Sequence, residues 1–132
     1  MSQKITLEEL NKNYIYKTDQ NQFGRAEHWK VMKPNEKGQF VGDCEDYCLT
    51  LQKLIPQFKE WDLYFCKTNG NGHCILYKNG DVIDCNTQKI VSFEQYCKMY
   101  KVTEFKKYNW FVVLSKILFS NMHLLYRKTR GI

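Results

Sequence analysis

The clearest periodicity in the chain begins at Cys44: Cys44, Tyr47, Cys48, Leu51, Leu54 and Ile55 recur at intervals of three and four, the spacing of one apolar face of an α-helix. Asp43 stands at the N-cap position with Asp46 at the third helical position, and Pro56 forbids continuation. The pattern therefore predicts a helix that starts at Cys44 and stops before Pro56. Downstream the spacing shortens. Leu63–Cys66 reads as a strand, followed by Thr68-Asn69-Gly70-Asn71-Gly72, whose asparagines and glycines tolerate positive φ. Cys74–Tyr77 and Val82–Cys85 then flank Lys78-Asn79-Gly80-Asp81, and Asn-Gly between two apolar runs is a strong hairpin signal.

The ends of the chain are less regular. Thr6-Leu7-Glu8-Glu9 has the form of a capping box and predicts a short first helix with Leu7 and Leu10 inward. Residues from Tyr14 to Phe40 are rich in Asn, Gln, Lys and Gly and include Pro34, so they read as loop, with room for one helical turn over Arg25–Trp29. Ser92-Phe93-Glu94-Gln95 opens a further helix to about Tyr100. Trp110–Leu114 reads as a strand, and an apolar stretch through Leu125 follows as a packed helix. Lys116, Asn121 and His123 interrupt that stretch, leaving it short of the ~20 apolar residues of a membrane span. An interfacial helix with its basic tail at lipid headgroups is the alternative.

At 132 residues the chain fits one domain over residues 1–132, and 43% hydrophobic residues supply a packed core. No repeat or low-complexity segment interrupts it. The start MSQKITLEEL lacks the apolar stretch of an export signal, which gives the expectation of a cytoplasmic protein. There the six cysteines read as reduced thiols, and Cys44 and Cys48 have no second pair at zinc-ligand spacing. The net charge of +6 comes partly from Lys98–Lys107 and from Arg127-Lys128-Thr129-Arg130. Such a balance suits nucleic acid, an anionic surface or simply a solvated face. No aromatic-rich basic strand marks a nucleic-acid platform, so nucleic acid ranks low as a partner.

The hairpin carries the chemistry. With Asn79 and Gly80 as the two loop residues of a type I′ turn, Lys78 meets Asp81, Ile75 faces Asp84 and His73 faces Asn86. Alternation then puts His73, Ile75, Asp84 and Asn86 on one face, with His73 and Asp84 as diagonal neighbours. A carboxylate bonded to one ring nitrogen fixes the imidazole tautomer and leaves the other nitrogen as a base. A thiol at a helix N-terminus is the matching nucleophile, because the helix end and an imidazolium both lower its pKa. Asp43, Glu45 and Asp46 oppose that by destabilising a thiolate.

The segments GDCEDYCLTLQ around Cys44, GHCILY around His73 and NGDVIDCN around Asp84 together resemble the bacterial transglutaminase-like cysteine peptidases, within the papain-like and transglutaminase-like group. Phe23-Gly24 and Glu27-His28-Trp29 are similar to that family's aromatic-rich approach to the cysteine. The resemblance spans roughly Tyr14 to Val91 with the order Cys, His, Asp kept. It implies an α+β papain-like fold in which the nucleophile helix packs on an antiparallel sheet. It assigns Cys44 as nucleophile, His73 as general base then acid, and Asp84 as the residue that orients His73. Some exported members also bind calcium beside the cysteine, and Asp43 and Glu45 match those acidic positions. Two carboxylates alone fall short of the six to eight oxygens calcium takes, and no cofactor is required. The chain lacks those members' export signal and is shorter, like small phage-encoded relatives, and it carries Cys48 where a small residue is frequent.

Asn86 is the rival orienter of His73, because an amide oxygen can accept the same hydrogen bond. The Cys44 backbone N–H is the first oxyanion donor, with Gln39 and Trp29 as side-chain candidates. Cys48, Cys66, Cys74, Cys85 and Cys97 read as packing residues, and His28 and His123 lie outside the constellation. The expected activity is attack of Cys44 on an amide of a protein or peptide substrate, through a thioester, giving proteolysis, deamidation or transamidation. The alternative is a binding protein without turnover that engages a host protein or nucleic acid through its basic C-terminal region. Oligomeric state is not legible in the sequence.

Overall fold

Asn79-Gly80 closes the expected hairpin, and Asn69-Gly70 closes a second. Asn79 and Gly80 take φ of 49° and 87°, and Asn69 and Gly70 take 52° and 85°, the two positive values that a type I′ loop demands. The computed structural model describes residues 4–18 and 29–109, together with 111, 113–115, 117 and 118. Around the turns run β3 (Asp62–Thr68), β4 (Asn71–Lys78) and β5 (Asp81–Ile83), an antiparallel meander. β6 (Val91–Ser92) pairs with β5, and β7 (Val102–Lys107) pairs with the far side of β3. The resulting five-stranded sheet has the order β6-β5-β4-β3-β7, with every pair antiparallel.

The sheet separates two apolar layers. On one face Leu63, Cys74, Leu76, Ile83 and Cys85 pack with α2 (Cys44–Leu54) and with Leu10 of α1 (Leu7–Asn13). On the other, Cys66, Ile75 and Val82 pack with Tyr96 of α3 (Phe93–Met99). Thr6 caps α1 by accepting from the Glu9 N–H, and Ser92 caps α3 by accepting from the Gln95 N–H. Both caps fall where the capping-box pattern puts them. The chain is thus mixed α and β, with the helix of Cys44 laid on an antiparallel sheet.

α2 is buried on more than the expected stripe, since Asp46, Leu49 and Thr50 are buried as well. The cause is the segment before it. The Lys30 N–H donates to Asp46 Oδ1 at 3.1 Å, and the Met32 N–H donates to Thr50 Oγ1 at 2.7 Å. Those polar side chains hold an extended backbone, and Trp29 and Met32 then cap the core.

Two expectations are corrected. Part of the Tyr14–Phe40 loop is a short parallel pair, β1 (Tyr14–Tyr16) with β2 (Phe40–Gly42), in the register Tyr14↔Phe40. Three-residue strands separated by a long polar connection leave too little alternation to be read. The Trp110–Leu114 strand is instead helical at 111 and 113–115. Asn109 explains it: its side chain accepts from the Phe111 N–H at 2.8 Å and its carbonyl from the Val113 N–H at 3.1 Å, an N-cap that outweighs β-branched propensity. The Arg25–His28 part of the suggested helical turn and the stretch beyond 118 lie outside the described residues. No described helix is long and apolar enough to cross a membrane.

Candidate active site

Local chemistry fixes where α2 begins. The Asp43 side chain accepts from the Asp46 N–H at 3.3 Å, and Asp46 Oδ2 accepts from the Asp43 N–H at 3.2 Å. This reciprocal cap satisfies donors that a helix start leaves open. Gly42 makes it possible: a Cβ there would lie 2.7 Å from Asp46 Cβ and 2.8 Å from Met32 Sδ. Cys44 is the first residue of the helix, so its own N–H has no carbonyl one turn back to bond, as an oxyanion donor requires.

The Cys44 thiol is buried and donates to Glu45 Oε2 at 3.2 Å. Burial pushes its pKa far above that of an ordinary thiol, and Glu45, Cys85 and Asp43 push it further the same way. In this arrangement Cys44 is a protonated thiol whose hydrogen-bond partner is Glu45, not His73.

His73 and Asp84 do meet. His73 Nε2 lies 2.7 Å from Asp84 Oδ2, with Asp84 fully buried and His73 nearly so. Asp84 Oδ2 also accepts from the Tyr96 hydroxyl at 2.6 Å. Its other oxygen accepts from the N–H groups of Asn86 at 3.0 Å and Thr87 at 2.7 Å. Burial alone would raise the Asp84 pKa, but the bond to His73, the His73 charge, Tyr96 and Thr87 outweigh it and hold the carboxyl below its ordinary value. An ionised Asp84 on Nε2 fixes that nitrogen as donor and leaves Nδ1 as the basic atom of the ring.

The register behind this pair holds as far as Leu76↔Ile83 and then stops, because Asp84 turns the chain. Gln88 N–H returns to the Asp84 carbonyl at 2.9 Å, closing the turn that Asp84 and Thr87 organise. Asn86 therefore does not sit opposite His73; it lies in the turn, where its side chain accepts from the Cys85 thiol at 3.8 Å. Of the two candidate orienters, it is Asp84 that bonds His73.

The layers place the thiol and the pair differently. Alternation along β4 puts His73 with Ile75, on the Tyr96 face, whereas Cys44 belongs to the layer of Cys74 and Leu76. β5 ends at Ile83, so residues 71–75 of β4 have no β5 partner, and Cys85, adjacent to Asp84, shares the Cys44 layer.

Both upstream oxyanion candidates are held by other residues. Gln39 is tied into a turn, its Oε1 accepting from Asn35 Nδ2 at 3.2 Å and its N–H donating to Asn35 Oδ1 at 2.9 Å. Trp29 is a core residue, edge-on to Tyr108 at 5.2 Å between centroids. Asp43 and Glu45 have separate commitments, the one to the helix cap and the other to the Cys44 thiol. Among the described residues no group of three His, Cys, Asp or Glu side chains converges as a metal site. No step is assigned to an ion. Cys48 donates to the Cys74 carbonyl at 3.5 Å as a packing residue, and Cys66, Cys74 and Cys85 are buried, while Cys97 is exposed.

Two residues were not legible as part of the site. Tyr96 lies on a helix whose sequence shows only its cap, and nothing local marks its hydroxyl as an Asp84 donor. Tyr14 donates to the Gly42 carbonyl at 2.9 Å and to that of Asp43 at 3.4 Å, bracing the chain just before Cys44. The Asp84-x-x-Thr87 turn, by contrast, carries a readable signature, a side chain that accepts from N–H groups two and three residues on. Comparisons with known protein families and with curated proteins find no match, so the chemistry rests on this geometry.

Proposed function

We propose that the protein is a cysteine-nucleophile hydrolase or acyltransferase of the transglutaminase-like, papain-like type, acting on an amide of a protein or peptide. The observation that carries this reading is the buried His73–Asp84 pair, built with four donors around one carboxylate. A carboxylate held ionised at that depth serves to orient and charge-balance an imidazole. In the reaction His73 Nδ1 takes the Cys44 proton, and the thiolate attacks the amide carbonyl. The oxyanion forms near the Cys44 N–H, and His73 gives the proton to the leaving amine. Water or a second amine then resolves the thioester, with His73 acting as base again. Cys44 must leave Glu45 before the first step, and because His73 stands on the Tyr96 face of the sheet while Cys44 lies in the opposite layer, the end of β4 must shift as well as the thiol turn.

A second reading has its own observation: burial and the Glu45 hydrogen bond stabilise the neutral thiol, which suits a protein that keeps the fold and binds without turnover. Iodoacetamide labelling of each cysteine against pH, read by mass spectrometry on wild type and His73→Ala, separates the two. Rapid labelling of Cys44 below about pH 7 that disappears in His73→Ala supports the enzyme. Cys44 that labels no faster than an ordinary thiol, with or without His73, refutes it and leaves the binding protein.

A further inference from the structure

The helical segment described at 111–118 shows one face to the core and another to solvent. Val113 is buried at 1% exposure, and Ile117 packs against the same cluster. Phe111, Leu114 and Leu118 point the other way, 77%, 41% and 55% exposed. Their spacing of three and four makes one continuous apolar stripe. Asn109 caps the segment and Val113 anchors it, so the stripe is presented in a fixed orientation.

Charge identifies what the stripe fits. All 14 acidic side chains lie at or before Glu104, so the net charge of +6 is carried by Lys106, Lys107, Lys116, Arg127, Lys128 and Arg130. A basic stretch bearing exposed Phe and Leu, with Trp110 and Tyr126 as amphipathic aromatics, has the composition of an element that lies in a headgroup layer. No described helix is suited to crossing a bilayer. A second copy meets this region with the same sign of charge, which opposes self-association. We infer that the Phe111/Leu114/Leu118 face docks the protein on an anionic lipid surface, favoured by the cationic excess of the sequence after Glu104.

Sedimentation of the full chain with vesicles tests this. Binding is expected to mixed phosphatidylserine–phosphatidylcholine vesicles and not to phosphatidylcholine alone, and it should weaken as salt is raised. The double substitution Phe111→Ser/Leu118→Ser should lower partitioning roughly 100-fold. Both positions are exposed, so thermal unfolding by circular dichroism should be unchanged. Absence of binding to the mixed vesicles, or binding that survives the double substitution, overturns the proposal. So does a concentration-dependent dimer that the same substitution dissolves, since the stripe would then belong to a second copy.

Discussion

Tyr96→Phe removes one oxygen from the interior and leaves the ring, so its cost isolates a single interaction. The hydroxyl donates to Asp84 Oδ2 at 2.6 Å, both residues are fully buried, and the same oxygen receives His73 Nε2. A hydrogen bond to a charged acceptor contributes about 1.5–3 kcal/mol and a neutral one about 1 kcal/mol. Urea unfolding at pH 7 should therefore show a loss of about 2 kcal/mol with an unchanged m-value. The folded Asp84 carboxyl lies below its ordinary value. Its stabilisation is accordingly complete above the unfolded pKa of about 3.9 and is lost as pH falls through the folded one. Removing a donor raises the folded pKa, so the variant should lose stability at a higher pH than wild type on acidification. At a pH below the folded pKa, where the acceptor is neutral, the cost should shrink to about 1 kcal/mol. A cost below about 0.5 kcal/mol at neutral pH, or one that is equal at both pH values, refutes the account of Asp84 as an ionised hub.

Gly42→Ala should destabilise by about 1–3 kcal/mol, read as a fall in Tm, because its Cβ meets Asp46 and Met32 under 3 Å. Asp43→Ala should cost about 0.5–2 kcal/mol in urea unfolding by removing the cap of α2. Glu45→Gln removes the nearest negative charge from Cys44, so its thiol pKa should fall and iodoacetamide labelling at pH 8 should accelerate, with no change at Cys97. Gly80→Val forces a β-branched residue to φ 87° and should cost about 1–2 kcal/mol, visible as a lower urea midpoint.

The legible parts of this chain are those set by neighbours in sequence. Asp43, Asp46 and Pro56 delimit α2, and Asn79-Gly80 fixes the register that brings His73 to Asp84, because caps and tight turns depend on a few adjacent residues. What escaped depends on distant ones. Asn86 was placed opposite His73 by extending the ladder, but Asp84 bonds the N–H groups of Asn86 and Thr87 and bends the chain away. The same alternation that paired His73 with Asp84 also assigns them to the face away from α2, which spacing within the hairpin cannot reveal. Trp29 packs in the core and Gln39 is held in a turn with Asn35, placements that depend on contacts the sequence does not display. Tyr96 reaches Asp84 only because β6 returns along β5 and sets α3 beneath it.

The parallel pair β1–β2 gives access to the thiol a clock of its own. Three residues on each side hold it, Ile15 and Tyr16 face solvent, and Tyr14 is the strut that ties it to the carbonyls before Cys44. So short a ladder opens at a small fraction of the global unfolding free energy, and opening releases the Tyr14 strut from the chain before Cys44 while α2 and the sheet stay formed. Alkylation of Cys44 then has two regimes. At low reagent its rate follows thiolate chemistry, and at high reagent it saturates at the rate of strand opening, which would be common to wild type and His73→Ala. Amide exchange at Lys17, whose N–H donates to the Gly42 carbonyl at 2.9 Å, should report the same opening without any reagent.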